Sequence, residues 1–141
     1  MNQDKLNKDL KFGFKAENKI QHILEEHFNT LLFSTKQFAT TDYYNDDFEI
    51  ELKSRNNKHS TYPTTMIGQN KIEYMKKKLN KKRCILVFNF TDGVYYIELN
   101  KELLEGNIFK QNCSGGRDDR NINEYKNRGY CYIPISELTK I

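Results

Sequence analysis

Apolar residues recur three and four positions apart from Phe12 to Phe28. Phe12, Ala16, Ile20, Ile23, Leu24, His27 and Phe28 share one face, which predicts an amphipathic helix. Leu6 and Leu10 add an extra turn before Gly13. The short apolar run Thr30 to Ser34 reads as a strand. Gln37 to Tyr44 and Phe48 to Arg55 read as two more, joined by the turn residues Asn45-Asp46-Asp47. Asn56 to Thr65 is a polar loop containing Pro63. Thr64 or Thr65 then caps a helix running to about Leu79, with Ile67, Ile72, Met75 and Leu79 inward. Cys84 to Phe90 is continuously apolar, the signature of a strand buried on both faces. Thr91-Asp92-Gly93 turns it into a partner strand, Val94 to Leu99. Gly106 to Asn127 reads as loop, Tyr130 to Pro134 as a last strand, and Ser136 as the cap of a short final helix. This order predicts an α/β fold: a central mixed β-sheet of about five strands flanked by helices. It is read as one domain over 1–141, with a core of 12–99 and a C-terminal appendage of 100–141.

Composition narrows the class. A chain of 141 residues suits one domain with one sizeable core. Aromatic residues at 13% set it apart from disordered chains. Three cysteines, with no CxxC pair, exclude a disulfide scaffold and a zinc ribbon and fit a reducing compartment. No apolar run approaches the roughly 20 residues of a membrane span, and Met1 to Lys11 lacks the apolar core of a secretory leader. The expectation is a protein without membrane association, in the cytoplasm or elsewhere inside the cell (host cytoplasm or nucleus for a viral chain).

Charge is distributed unevenly. Gln37 to Leu52 holds five acids (Asp42, Asp46, Asp47, Glu49 and Glu51) and no basic residue. Without these five, the formal net charge of +4 becomes +9. The segment is either a solvated acidic turn or a cation site on a surface suited to polyanions. Acid-x-Lys triplets occur at Asp9-x-Lys11, Glu17-x-Lys19 and Glu124-x-Lys126 as well as at Glu51-x-Lys53. Only the last lies on a predicted strand with an acid on the opposite arm of a hairpin. Strand alternation puts Glu51 and Lys53 on one face. If Asn45-Asp46 forms a two-residue turn, Asp42 pairs with Glu49, and Glu51 is its diagonal neighbour. Two converging carboxylates repel unless a cation lies between them, and Mg²⁺ takes hard oxygen ligands of this kind. A register shift of one residue would turn Asp42 away and leave Asp47 or Glu49 as the rival ligand.

These residues, in this order, resemble the PD-(D/E)XK nuclease superfamily. The resemblance covers about Phe12 to Leu99. Gly13-Phe14-Lys15-Ala16-Glu17 is similar to the Gly-x-x-x-Glu of the family's first helix. Asp42, then Glu51-Leu52-Lys53, then Gln69 at the second helix follow in the family's order, although Thr41 rather than Pro precedes Asp42. Tyr74 lies one residue further from Gln69 than in the Gln-Tyr motif of RecB-like members. The resemblance implies a restriction-endonuclease-like core of order α-β-β-β-α-β-β. It also implies a Mg²⁺-dependent DNA endonuclease, with Mn²⁺ substituting. Asp42, Glu51 and the Leu52 carbonyl would hold the metal, and Lys53 would orient or deprotonate the attacking water. Glu17 would add a carboxylate, and Gln69 or Lys71 would contact the scissile phosphate. The small size points to a structure-selective enzyme such as a Holliday-junction resolvase, or to the core of a small restriction-like or viral nuclease. Cutting two strands implies a homodimer. The alternative is a non-catalytic nucleic-acid-binding module on the same fold.

Neighbouring basic residues extend the expectation. Arg55 and Lys58 follow the motif strand and either touch DNA phosphates or are solvated. Arg117 and Arg120 either clamp phosphates or pair with Asp118 and Asp119 inside their own loop. Lys76 to Arg83 is a basic cluster at a helix C-terminus, where positive charge is favourable anyway. His59, in the polar loop, is a further catalytic candidate.

Overall fold

A computed structural model of the protein describes residues 19–34, 41–106, 110–112 and 129–141. The chain divides into two units at Phe33 and Ser34. In the first, α1 covers residues 19–28, the described part of the predicted helix, with Ile20 and Leu24 buried. Asn29 ends it in the left-handed region (φ 52°), a conformation Asn tolerates at helix ends. The following segment folds back. Gln21 Nε2 donates to the Leu32 carbonyl at 2.8 Å. The Leu32 N–H donates to Glu25 Oε2 at 2.9 Å. Strand β1 is only Phe33–Ser34, shorter than the predicted Thr30 to Ser34.

The second unit is built on the apolar run. Its strands are β2 (Tyr43–Tyr44), β3 (Phe48–Ser54), β4 (Thr64–Gly68), β5 (Arg83–Phe90), β6 (Gly93–Leu99), β7 (Lys110–Asn112), β8 (Tyr130–Pro134) and β9 (Thr139–Lys140). Across the main sheet of this unit the order is β2-β3-β5-β6-β9. β3 and β5 are parallel and the other neighbours antiparallel, so the sheet is mixed. Two adjacent parallel strands need a crossover connection. Here the crossover contains β4 and the helix α2 (Gln69–Lys78). β5 is buried on both faces, as its sequence predicts: Cys84, Ile85, Leu86, Val87 and Phe88 are all fully inaccessible. Cys84, Leu86, Phe88 and Phe90 on one face pack with Ile97 and Leu99 of β6 and with Ile72 and Met75 of α2. Burial pushes the Cys84 thiol up to about 11, so this cysteine is a core residue rather than a nucleophile.

Several elements differ from the sequence reading, among them β7 (Lys110–Asn112), a strand within the stretch read as loop. The helix expected from Thr64 or Thr65 begins instead at Gln69, with Gly68 as N-cap. Thr64 to Gly68 is extended because it pairs antiparallel with β8, Ile67 opposite Cys131. The burial of β4 alternates accordingly, and Thr65 and Ile67 face inward. A second sheet of order β4-β8-β7 results, and Cys131 and Ile133 of β8 join the core. The final helix reduces to a 3₁₀ turn, Ile135–Glu137, followed by β9. A short helix α3 (Lys101–Glu105) follows β6, capped by Asn100 Oδ1, which accepts the Leu103 N–H at 2.8 Å. The helix residues before 19, the strand residues 35–40 and most of the 106–127 loop lie outside the described residues. Among the described residues, no helix is long and apolar enough to cross a membrane.

Among the described residues, Phe88 is the largest fully buried side chain. Phe88→Ala is expected to lower the unfolding free energy by about 3–5 kcal/mol, read from urea denaturation. A loss under about 1 kcal/mol would mean that β5 is not the centre of the core.

Candidate active site

Strand alternation on β3 separates two kinds of residue. Phe48, Ile50 and Leu52 point to one face, and Glu49, Glu51 and Lys53 to the other. The second set lies on the face where Leu86 and Phe88 of β5 meet α2, since Glu51 is in register with Leu86 and Lys53 with Phe88. Glu51 is therefore a carboxylate on the floor of the sheet, only 3% exposed. Lys53 Nζ lies 3.5 Å from its Oε1. Lys71 Nζ, from the first turn of α2, lies 3.6 Å from its Oε2.

Asp42 reaches the same point from the other arm of the hairpin. The turn is one residue further along than the sequence suggests. Asn45 Oδ1 accepts from the N–H groups of Asp47 and Phe48, and the Asn45 N–H donates to the Phe48 carbonyl, which puts Asp46 and Asp47 at the tip. The register is Tyr43 opposite Ile50 and Tyr44 opposite Glu49. This corrects the expected Asp42–Glu49 pairing by two residues. The shift is even, so Asp42 keeps its face and comes opposite Glu51 rather than diagonal to it. Asp42 precedes β2 and is tied to β3 twice. Its N–H donates to the Ile50 carbonyl at 2.9 Å, and its Oδ2 accepts the Leu52 N–H at 2.7 Å.

Glu49 is occupied elsewhere. Thr41 Oγ1 donates to its Oε2 at 2.6 Å and Lys82 Nζ to its Oε1 at 3.1 Å, a buried set that serves the fold. Asp46 and Asp47 are exposed at the hairpin tip. Of the acids in the segment, Asp42 and Glu51 are the pair brought together.

The electrostatics of Glu51 follow from its position. Burial, and then the negative charge of Asp42, push its pKa up to about 7; Lys71 and Lys53 pull the other way. Although Lys71 is nearby, Glu51 Oε2 is buried without a hydrogen bond. A buried carboxylate oxygen without a hydrogen bond, beside a second carboxylate, is a fit for a hard cation. The donors are oxygens throughout. Among the described residues no cluster of three or more His, Cys, Asp or Glu side chains forms. The residues that could hold such an ion are the two carboxylates, and a small divalent cation characteristically retains waters for its remaining positions.

The other expected residues fall at different places. Gln69 opens α2, its N–H donating to the Gly129 carbonyl at 2.8 Å, two residues before Lys71. The resemblance implies Gln69 or Lys71 at the phosphate; the approach of Lys71 to Glu51 follows from the start of the helix at Gln69. Arg55 extends the Glu51 and Lys53 face, and its Nη2 donates to the Met66 carbonyl of β4. Lys58 is exposed, in a turn whose carbonyl accepts the Thr61 N–H. His59 is a structural residue: its ring stacks on Tyr95 at 4.0 Å and its Nε2 lies 3.3 Å from the Ile135 carbonyl. Much of the basic cluster is also internal, Lys76 pairing with Glu73, Lys82 with Glu49, and Arg83 with Glu98. Glu17, Arg117 and Arg120 lie outside the described residues.

A pKa raised by folding has a defined cost. Below pH 4.5 Glu51 is protonated in both states, and its contribution to stability is complete; that stability is lost as pH rises through about 7. In EDTA at pH 8, Glu51→Gln is therefore expected to be the more stable protein, by about 3 kcal/mol. The difference should vanish near pH 4.5 and shrink when Mg²⁺ is added to the wild type. Chemical denaturation across this pH range reads it, and equal stabilities at pH 8 would mean that Glu51 is not strained when charged.

Comparison with known proteins completes the site. No curated protein and no solved structure matches the chain. A family model described as "Phage putative PDDEXK endonuclease" matches residues 15–141, which include Asp42, Glu51 and Lys53 and nearly all of the chain. The mixed sheet flanked by helices is consistent with a restriction-endonuclease-like fold. With an acid at the mouth of a hairpin, an acid-x-Lys on its second arm and a helix crossing over them, the chain belongs to the phage PD-(D/E)XK endonuclease family.

Proposed function

We propose that the protein is a Mg²⁺-dependent endonuclease that hydrolyses phosphodiester bonds in DNA. The observation that carries this reading is the buried Glu51, paired with Asp42 and flanked by two ammonium groups. Asp42, Glu51 and the Leu52 carbonyl would hold the metal, which supplies Lewis-acid polarisation of the scissile phosphate. Lys53 is half-exposed at 37%, so its ammonium reaches solvent while remaining near Glu51. It orients the attacking water, or takes its proton, and offsets the charge that builds on the phosphorus oxygens. Lys71, at 20% exposure, is fixed by α2 on the other side of Glu51 and supplies a second positive charge to the same phosphate. Gln69, two residues before Lys71 at the head of α2, would contact the phosphate, with Glu17 adding a carboxylate.

The finer form of the reading is a structure-selective enzyme of the Holliday-junction-resolving kind, acting as a homodimer. Two strands require two sites, and a chain with one Glu51-x-Lys53 motif supplies one. Arg55, Lys58, Arg117 and Arg120 would then grip the flanking phosphates.

The test is cleavage of linear duplex, supercoiled plasmid, four-way junction, flap and single strand, each with Mg²⁺, Mn²⁺ or EDTA. Wild type is expected to cut in either metal and not in EDTA. Lys53→Ala and Asp42→Asn should each lower the rate by on the order of 10²–10⁴-fold. Cutting that persists in EDTA or in Lys53→Ala would exclude this mechanism, and binding without cutting in any metal would favour the non-catalytic module.

A further inference from the structure

A cavity of about 400 Å³ opens beside the end of β3, in the range of small-ligand sites. Its walls include Tyr62, Pro63, Met66, Tyr132 and Ile135, and Arg55 lies at its edge. Two of these walls stand far into solvent: Tyr62 is 60% exposed and Met66 41%. Exposed large apolar side chains around a concavity mark a place for a ligand's apolar face. The floor is rigid, since His59 stacks on Tyr95 and meets Phe90 edge-on.

What lies next to the cavity decides its occupant. Arg55 is two residues beyond Lys53, and strand alternation places the two side chains on one face. The separation along the strand is about 6.6 Å. The Arg55 N–H still bonds the Asn89 carbonyl, so the ladder continues to this point. The Met66 carbonyl takes one of the five guanidinium donors. A strand whose scissile phosphate lay at Glu51 and Lys53 would thus bring its next nucleotide to Arg55 and to the aromatic and apolar walls. Flat apolar walls with a guanidinium at the rim are the chemistry that holds an unstacked base by its faces.

We propose that this cavity is a base-binding subsite, which receives a single nucleobase of the substrate strand, swung out of the stack, next to the scissile phosphate. The proposal rests on the nuclease reading and specifies its substrate: nucleic acid with an unpaired base near the cut. Tyr62 and Tyr132 flank the base, and Arg55 anchors its phosphate. Recognition is by stacking, so it tolerates any base and rejects a missing one.

The probe is a DNA duplex with a one-nucleotide bulge carrying 2-aminopurine, compared with the same duplex carrying an abasic bulge. Affinity is measured in Ca²⁺ and cutting in Mg²⁺. Wild type is expected to bind the base-bearing bulge about tenfold more tightly than the abasic one, a fluorescence change reporting the base's new stacking. Arg55→Ala alone would be ambiguous, because Arg55 also braces β4. The variants are therefore Tyr62→Ala, at an exposed wall, and Thr64→Trp, at an exposed lining position whose larger side chain would fill the cavity. Both should bring the preference below about twofold and leave affinity for the abasic duplex unchanged. Equal affinity of wild type for the two duplexes, with metal-dependent cutting intact, would overturn the subsite and leave the nuclease. A preference that survives in both variants would also overturn it. A preference lost in both variants without cutting in any metal would support a base-binding cavity but overturn its place beside a cutting site. Binding to neither duplex would overturn both.

Discussion

A carboxylate placed on the floor of a β-sheet is the constraint around which the second unit is arranged. Glu51 sits where its neighbours in register are Leu86 and the rest of an apolar face. A lone charge there is expensive to keep. Asp42 makes it more so. The fold answers with two ammonium groups from two different elements, Lys53 from the same strand and Lys71 from the crossover helix. They do not neutralise it fully, and Glu51 remains a reluctant anion with one oxygen lacking a hydrogen bond. Such a site is built to gain from a cation, which is the property the proposed chemistry uses.

Two residues earlier on the same face, Glu49 shows the contrasting solution. It has a hydroxyl donor on one oxygen and Lys82 on the other. Two acids of one strand, equally inaccessible, thus have different roles because of the donors around them. A buried acid fully supplied with donors stabilises a fold, and one left short of them is available for chemistry.

Much of this was legible in the sequence, for reasons that are local. The apolar run Cys84 to Phe90 and the Thr91-Asp92-Gly93 turn predict β5 and its hairpin, because burial on both faces and turn chemistry are written in adjacent residues. The face shared by Asp42, Glu51 and Lys53 is a consequence of the two-residue repeat. It survived an error in the turn because the register moved by an even number. What the sequence hid is non-local. Thr64 to Gly68 reads as the start of a helix, and it is pairing with β8, more than sixty residues away, that makes it a strand. The approach of Lys71 to Glu51 was hidden for the same reason, since it depends on where that strand hands over to α2.

The pairing of β4 with β8 also bears on the order in which the molecule is made. β3 and its hairpin partner leave the ribosome early, and Glu51 and Asp42 with them. The extended course of β4 is fixed by hydrogen bonds to Tyr130–Pro134, and the Gln69 N–H at the head of α2 is satisfied by the Gly129 carbonyl. Both come from a stretch synthesised some sixty residues later. Until it is synthesised, β4 has an unpaired edge and the helix that carries Lys71 has no fixed starting point. The two acids and Lys53 are therefore made well before the pairing that fixes the helix carrying Lys71, so a nascent chain holds the candidate site without its second ammonium group.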